Sequence, residues 1–500
     1  MSALKRNVVA NLAGSAWAGL MALAFIPWYI RLMGVESYGL VGVFVALSGV
    51  LLILDLGLAQ AITREMARLS SSGDRQKMAD TLRTLEIIYW PLGLCVAGLV
   101  IALADLIAYQ WLNPESISRS DLRQTLGIMA LAIGLRWPLS IYAGGLNGLQ
   151  RQVALNSVQA IFATAQGVGA LLVLWLIEPS AQAYFAWVGA VTLLQVWVTR
   201  MILMPNVESG SSARFSIEIL RHLWQFAAGM TGISLLTVVL TQADKVLLSK
   251  ILSLTDFGYY AFAANVAAAL YRIIGPIFTA YYPRFTELVA LNDQARLVRA
   301  YHQGCQLMAV MVVPVALVLG LYSLDILQLW TGDPTLAANA AWLVSALVAG
   351  NALNGFMHLP YALQLAHGWT RLALMQNVLA VVFLVPGVIL GAMHWGAIGA
   401  ALAWVGLNLG YMIFGIPLMH RRLLRDQMRR WYACDVAKIL GLGLMVTLAC
   451  RFLVGTHISG VWLLPWLILV LLGAWAISFW GAETLRLPLW ARGVPRVSEG

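Results

Sequence analysis

Residues 85–109 read LEIIYWPLGLCVAGLVIALADLIAY, a run whose only charges are Glu86 and Asp105. About 20 apolar residues in a helix cross the roughly 30 Å hydrocarbon core of a bilayer. The run is continuous rather than alternating, so it reads as a membrane helix and not a barrel strand, because a helix satisfies its own backbone groups in lipid. The rest of the chain follows the same pattern. Of its 500 residues 61% are apolar or aromatic and 11% are charged, and the mean hydropathy is +0.80. A soluble protein carries about 25% charged residues. Too little polar sequence remains for a large soluble catalytic domain.

Continuous apolar runs predict spans near 8–32, 39–62, 85–109, 125–149, 154–177, 183–205, 223–249, 258–282, 304–322, 339–361, 372–392, 397–419, 437–456 and 458–481. The fold class is therefore all-α, a polytopic membrane protein with about 14 transmembrane helices. Charge tests this count. With the N-terminus inside, 24 of the 32 Lys and Arg fall on the inner side and 4 (Arg31, Arg119, Arg123 and Lys250) on the outer. That is the asymmetry expected of cytoplasmic loops, with both termini on the cytoplasmic side. Lys5 and Arg6 precede an apolar run with no small-residue cleavage site, so this run reads as the first span. The net charge of +10 thus sets topology and does not point to nucleic acid. Cys95, Cys305, Cys434 and Cys450 are too scattered for a disulfide framework or a zinc site.

The chain also repeats itself. RLMGVESYG (31–39) closes span 1 and KILSLTDFG (250–258) closes span 7. Arg64 follows the first turn and Arg284 the second, each opening a basic, helix-like loop (64–83 and 284–303). Spans 4 and 10 end in Gly148-Leu149-Gln150-Arg151 and Gly368-Trp369-Thr370-Arg371. Six spans per repeat preserve orientation, giving parallel halves of the kind that in transporters hold a substrate between them. The implied organisation is a lobe at 1–205, a linker at 206–222, a second lobe at 223–419, and a basic loop with two added helices at 420–500.

LDLGLAQAITRE (54–65), after the Gly-x-Glu-x-Tyr-Gly turn at 34–39, resembles polysaccharide biosynthesis proteins of the Wzx (O-antigen flippase) type. So does DKVLLSKILSLTDFGYYAFAANV (244–266). These proteins belong to the multidrug/oligosaccharidyl-lipid/polysaccharide exporter superfamily, and the resemblance covers about 400 residues, through span 12. It implies two six-helix lobes around a central cavity. It also implies translocation of undecaprenyl-diphosphate-linked oligosaccharide from the inner to the outer leaflet. The partners implied are that lipid-linked glycan, membrane lipids, and lateral contact with a glycan polymerase or glycosyltransferases.

Deep polar residues carry the remaining information. A charge at the bilayer centre costs roughly 2.5–3.5 kcal/mol on the most lenient scale, so it persists only facing a cavity or a partner. The candidates for substrate binding are Arg136, Lys245, Arg272, Asn265, Asn351 and Asn354, and those for a coupling ion or salt bridge are Asp55 and Asp244. Asn265, Arg272 and Thr279 recur every seven residues, on one helix face, before a Gly275-Pro276 pair expected to kink the helix. Ser234, Thr237, Thr241 and Asp244 form a polar stripe, and Lys245 points about 100° away from Asp244, so the two need not pair. Asn351, Asn354 and His358 share a face suited either to sugar hydroxyls or to gluing helices together. Arg451 lies near a span end and can snorkel. The glycines at 144, 145 and 148 are expected to pack helices closely.

No P-loop occurs, so no nucleotide, cofactor or metal is expected. Two rivals share these features. An ion-coupled exporter of cationic drugs would want an acidic cavity, whereas the deep charges here are three basic to two acidic. A membrane polymerase or ligase would want a catalytic outer loop, and the longest, 110–124 and 323–338, hold no such cluster.

Overall fold

The computed structural model describes residues 3–55, 58–207, 212–453 and 462–486, and among the described residues every regular element is helical. Packing divides the chain into two units, Met1–Phe262 and Ala263–Gly500. The first holds α1 (Ala3–Ala24), α2 (Ile26–Leu51), α3 (Leu58–Ser72), α4 (Arg75–Leu106), α5 (Arg119–Gly148), α6 (Gln152–Leu176), α7 (Ala181–Val207), α8 (Ile217–Ile251) and most of α9 (Leu254–Ala267). The second holds α10 (Tyr271–Ala290), α11 (Gln294–Leu321), α12 (Ser323–Thr331), α13 (Pro334–Ala366), α14 (Thr370–Gly410) and α15 (Ile416–Leu423). Lys438–Leu453 and Leu463–Gly481 follow.

Eleven stretches of described residues are long and apolar enough to cross a membrane. Two of them are broken by a glycine. Gly34 (φ 84°) interrupts α2 between the expected spans 1 and 2, and Gly396 (φ 61°) interrupts α14 between the expected spans 11 and 12. Both dihedrals lie where only glycine is unstrained. The protein is thus a multi-pass, all-helical membrane protein. The basic segment at 64–83 folds as expected, into the short amphipathic α3 and the start of α4.

Within the first unit, the turns 31–39 and 250–258 meet each other. A Cβ on Gly39 would lie 2.5 Å from the Leu254 carbonyl oxygen, and one on Gly258 would strike the Val35 carbonyl. One turn of helix further on, a Cβ on Gly42 would lie 2.7 Å from that of Ala261. Residues of each pair of equivalents (35 and 254, 39 and 258, 42 and 261) are 219 apart, so the contact has the reciprocity of a local two-fold axis. This packing places α8 and most of α9 with the first unit, although by sequence repeat they open the second half. The segment 111–116 straps the two turns together. Glu36, buried, accepts from the backbone N–H of Glu115 (2.6 Å) and Ser116 (3.0 Å). Asn113 donates to the Lys250 carbonyl (2.8 Å) and accepts from the Leu254 N–H (2.9 Å), and Thr255 donates to Glu115 (2.5 Å).

Gly145 and Gly148 pack closely as expected, Gly145 against Leu203 of α7 and Gly148 against the Thr63 carbonyl of α3. In the second unit the added helix Leu463–Gly481 seats Leu463, Leu467 and Val470 on Val318 of α11 and on Tyr322, which caps it. Arg451 does not reach for solvent alone but pairs with Asp325. Lys438 bonds Glu483 at 2.5 Å and holds that carboxyl below its usual range. All four cysteines are free.

Candidate substrate-translocation site

Arg136 sits midway along α5, two residues before Pro138, yet its side chain is exposed. Its guanidinium lies 4.7 Å from the centroid of the Phe44 ring. Phe44 in turn packs on Phe185 (5.3 Å), beside Tyr184 and Tyr29. Its neighbours are thus aromatic rings, which attract a cation through their faces without neutralising it. Ser140, four residues on, bonds the Trp137 carbonyl (2.8 Å).

The two deep carboxylates share one device. Asp55 accepts a hydrogen bond from Tyr89 (2.7 Å), and Asp244 accepts one from Tyr260 (2.7 Å). Both tyrosines are fully buried. A phenol donor fixes the position of the carboxylate it bonds. Of the two alternatives, coupling ion or salt bridge, the structure places a lysine beside Asp244: Lys245 reaches it. Its long side chain folds back along α8, so that Nζ lies 3.5 Å from the carboxylate while bonding the Thr241 carbonyl at 2.9 Å. Both side chains stay about one-quarter accessible, at 23% each. The side chains of Ser234 and Thr237 lie outside the described residues.

In the second unit, Arg272 is exposed near the start of α10. The expected break at Gly275-Pro276 comes earlier, as a 3₁₀ turn at Ala268–Leu270, and α10 runs on through Pro276. Asn265 and Arg272 therefore flank an irregular turn and do not ride one continuous helix. In this turn the Tyr271 N–H bonds the Ala268 carbonyl in place of the Ala267 carbonyl. The Ala267 carbonyl accepts from the Asn351 amide at 3.0 Å. Asn351 is buried, and its own carbonyl accepts from Trp404 (2.9 Å) and Tyr271 (3.3 Å). Asn354 accepts from Tyr271 (3.2 Å) and donates to Asn408 (2.8 Å). The two asparagines thus tie α13 to α10 and α14. Thr279 bonds the Gly275 carbonyl (2.8 Å).

Sequence reasoning missed the aromatic surface beside them. Phe278 stacks on Tyr282 (5.9 Å) and Tyr361 (6.2 Å), and its edge meets His358 (6.0 Å), which also packs near Tyr271 (6.3 Å). The spacing 354, 358, 361 on one helix and 278, 282 on the next was the available signal. Flat apolar ring faces are the surfaces on which sugar rings stack.

Comparison with known proteins follows this geometry. The family described as "Polysaccharide biosynthesis protein" matches residues 4–289. A relative from Shigella flexneri named "Putative O-antigen transporter" is 24% identical over 406 residues, covering 81% of this chain and 94% of its own. Among solved structures, the lipid II flippase MurJ in an inward closed conformation superposes with a TM-score of 0.71 at 13% identity, covering 94% of this chain and 97% of that one. An inward-facing multidrug resistance MATE family transporter of the MOP superfamily does so at 0.64 and 13%, covering 84% and 96%. At these identities the structures share the fold.

Proposed function

We propose, from the premise that the chain belongs to the polysaccharide biosynthesis protein family, that it is a flippase for lipid-linked glycan. Its cargo is an undecaprenyl-diphosphate-linked oligosaccharide, carried from the inner to the outer leaflet of the bacterial cytoplasmic membrane with both termini cytoplasmic. The observation that carries this reading is Arg136, a deep cation whose described neighbours are aromatic rings and not a carboxylate. Holding such a charge in a membrane bundle is costly unless an anion visits it, and the diphosphate is that anion. Lys245 in the first unit and Arg272 in the second are the further cations available to an anionic cargo. Asn351 and Asn354 bond residues of the irregular turn between Asn265 and Arg272, and the Phe278–Tyr282–Tyr361 cluster offers stacking faces for sugars.

The drug-exporter reading needs carboxylates open to a cationic drug. Asp55 and Asp244 instead each hold a tyrosine hydroxyl, and Asp244 also a lysine. This arrangement suits a coupling proton or a structural pair better than a cargo site. Energetics do not demand a coupling ion. An inside-negative potential favours outward anion movement by about 2.3 kcal/mol per charge per 100 mV across the whole field. Alternating access rocks one half against the other.

The test is to delete the gene and assay on which leaflet the lipid-diphosphate glycan sits, restoring wild-type, Arg136→Ala or Arg272→Ala protein at matched expression. Inner-leaflet accumulation that wild type relieves and Arg136→Ala does not supports the flippase and its cationic path. Normal outer-leaflet glycan in the deletion strain, with no second carrier present, overturns it in favour of the exporter.

A further inference from the structure

A second cationic site lies on the first unit, away from Arg136, Arg272 and Lys245. Arg83, Glu86, Ile87, Trp90 and Pro91 of α4 and Arg200 of α7 line an open groove of about 420 Å³. Its floor is a built polar cluster. Glu86 is buried, accepts from Arg200 Nε (2.7 Å) and the Tyr142 hydroxyl (2.8 Å), and lies 3.6 Å from Arg83. Trp90 donates its indole N–H to the same tyrosine (3.2 Å). One carboxylate thus orients two guanidinium groups, whose side chains remain 52% and 39% accessible. The cluster keeps a net positive charge and unused N–H donors, because each guanidinium carries five.

The position is as informative as the charge. Arg83 is two turns into α4 and Arg200 two turns before the end of α7, so both lie at the end of the bundle where the basic residues Arg75, Lys77, Arg214 and Arg221 gather. From this end the same faces of the two helices turn apolar and stay exposed, through Ile87 and Leu94 on α4 and Trp197 and Leu193 on α7. A cationic pocket at headgroup depth that opens onto an apolar track matches a molecule with an anionic head and acyl tails.

We propose that this groove binds the phosphate of an anionic phospholipid, with Arg83 and Arg200 as its ligands and the Ile87–Leu94 and Leu193–Trp197 faces as the seat of its chains. The apolar track selects a lipid over free phosphate. The groove's small volume selects a simple headgroup over an oligosaccharide.

The test uses full-length protein in neutral detergent, titrated separately with phosphatidylglycerol, phosphatidylcholine and inorganic phosphate, with bound lipid read by native mass spectrometry. Each surface cation contributes about fivefold to anionic-lipid affinity. Arg83→Gln, which leaves the Arg200–Glu86 pair intact, should weaken phosphatidylglycerol binding about fivefold. The neutral triple variant R83Q/E86Q/R200Q should weaken it more than twentyfold, while Arg75→Gln changes it less than twofold. Unchanged phosphatidylglycerol affinity in Arg83→Gln overturns the proposal, and this variant decides the matter if the triple does not fold. Phosphatidylcholine binding as tightly with the same dependence on Arg83 also overturns it, as does displacement of the lipid by millimolar phosphate.

Discussion

Residues 35–77 and 254–296 are one frame built twice, and the comparison separates what the fold needs from what the cargo needs. At a constant spacing of 219 residues, Gly39 matches Gly258, and the positive-φ residue Gly73 (φ 72°) matches Asn292 (φ 53°). The helix caps match as well, Asp74 over the Lys77 N–H and Asp293 over the Arg296 N–H. Even the ion pairs recur, with signs reversed at one place, where Glu65–Arg68 stands opposite Arg284–Glu287. The deep charges do not recur. At the same spacing Asp55 faces Ile274, Arg272 faces Ile53, and Asp244 and Lys245 face Phe25 and Ile26. Turns, caps and surface pairs are what a helical hairpin requires wherever it is built. Charges inside the membrane are costly, and each of these stands in one half only, as the proposed binding role would have it.

The strongest way to break this distinction is to remove a deep charge. A hydrogen bond to a charged group contributes about 1.5–3 kcal/mol, so Arg136→Ala should cut glycan flipping roughly ten- to a hundredfold at unchanged protein level. Arg272→Ala should act in the same direction. If either variant instead lowers the amount of folded protein by a similar factor, its arginine belongs with the frame.

The frame should fail differently. Gly39→Val and Gly258→Val each force a side chain into a backbone carbonyl of the opposing turn. Overpacking of this kind costs about 1–3 kcal/mol, and the two variants should lose similar amounts of thermal stability. A large loss in one and none in the other would show that the two turns are not equivalent. The carboxylate anchors come next. Tyr89→Phe and Tyr260→Phe should each destabilise by about 1–2 kcal/mol through the lost bond to Asp55 or Asp244. Sharper pH dependence of flipping in Tyr260→Phe, and not in Tyr89→Phe, would mark Asp244 as the coupling group.

How much of this was legible follows the same division. Hydropathy exposed the spans, and the pair RLMGVESYG and KILSLTDFG exposed the repeat, because local chemistry dictates both. The contacts of those turns were not legible. Glu36 was visible only as part of a turn motif, and only the fold brings the 111–116 strap over it. The pairing of Lys245 with Asp244 was legible only as one of two alternatives, because a helical wheel fixes Cβ directions and not the reach of a four-carbon side chain. Asn351 was legible as a polar residue on a face with two alternatives. Its bond to the Ala267 carbonyl depends on a 3₁₀ turn that begins two turns before Pro276, and no spacing rule places it. Glu86 passed as one charge in an apolar run, since its partners Tyr142 and Arg200 lie 56 and 114 residues away.

The smallest predicted effect tests the repeat most finely. Asp74 and Asp293 cap α4 and α11 by accepting the N–H three residues on, at 3.0 and 2.9 Å, and each also pairs with that residue's side chain, at 2.9 and 3.2 Å. Loss of such a cap leaves one helix-end donor unmet. In a protein of this size Asp74→Ala and Asp293→Ala should each lower the unfolding midpoint by only about 2 °C, and by equal amounts. Lys77 holds the Asp74 carboxyl below its usual range, through its side chain and its backbone N–H. The contribution of this cap is therefore complete at neutral pH and disappears as the pH falls through that lowered value, because protonation is then the cost of staying folded. The difference between wild type and Asp74→Ala should accordingly shrink on acidification. A difference that persists once the carboxyl is protonated would assign the loss to the helix backbone and not to the charge.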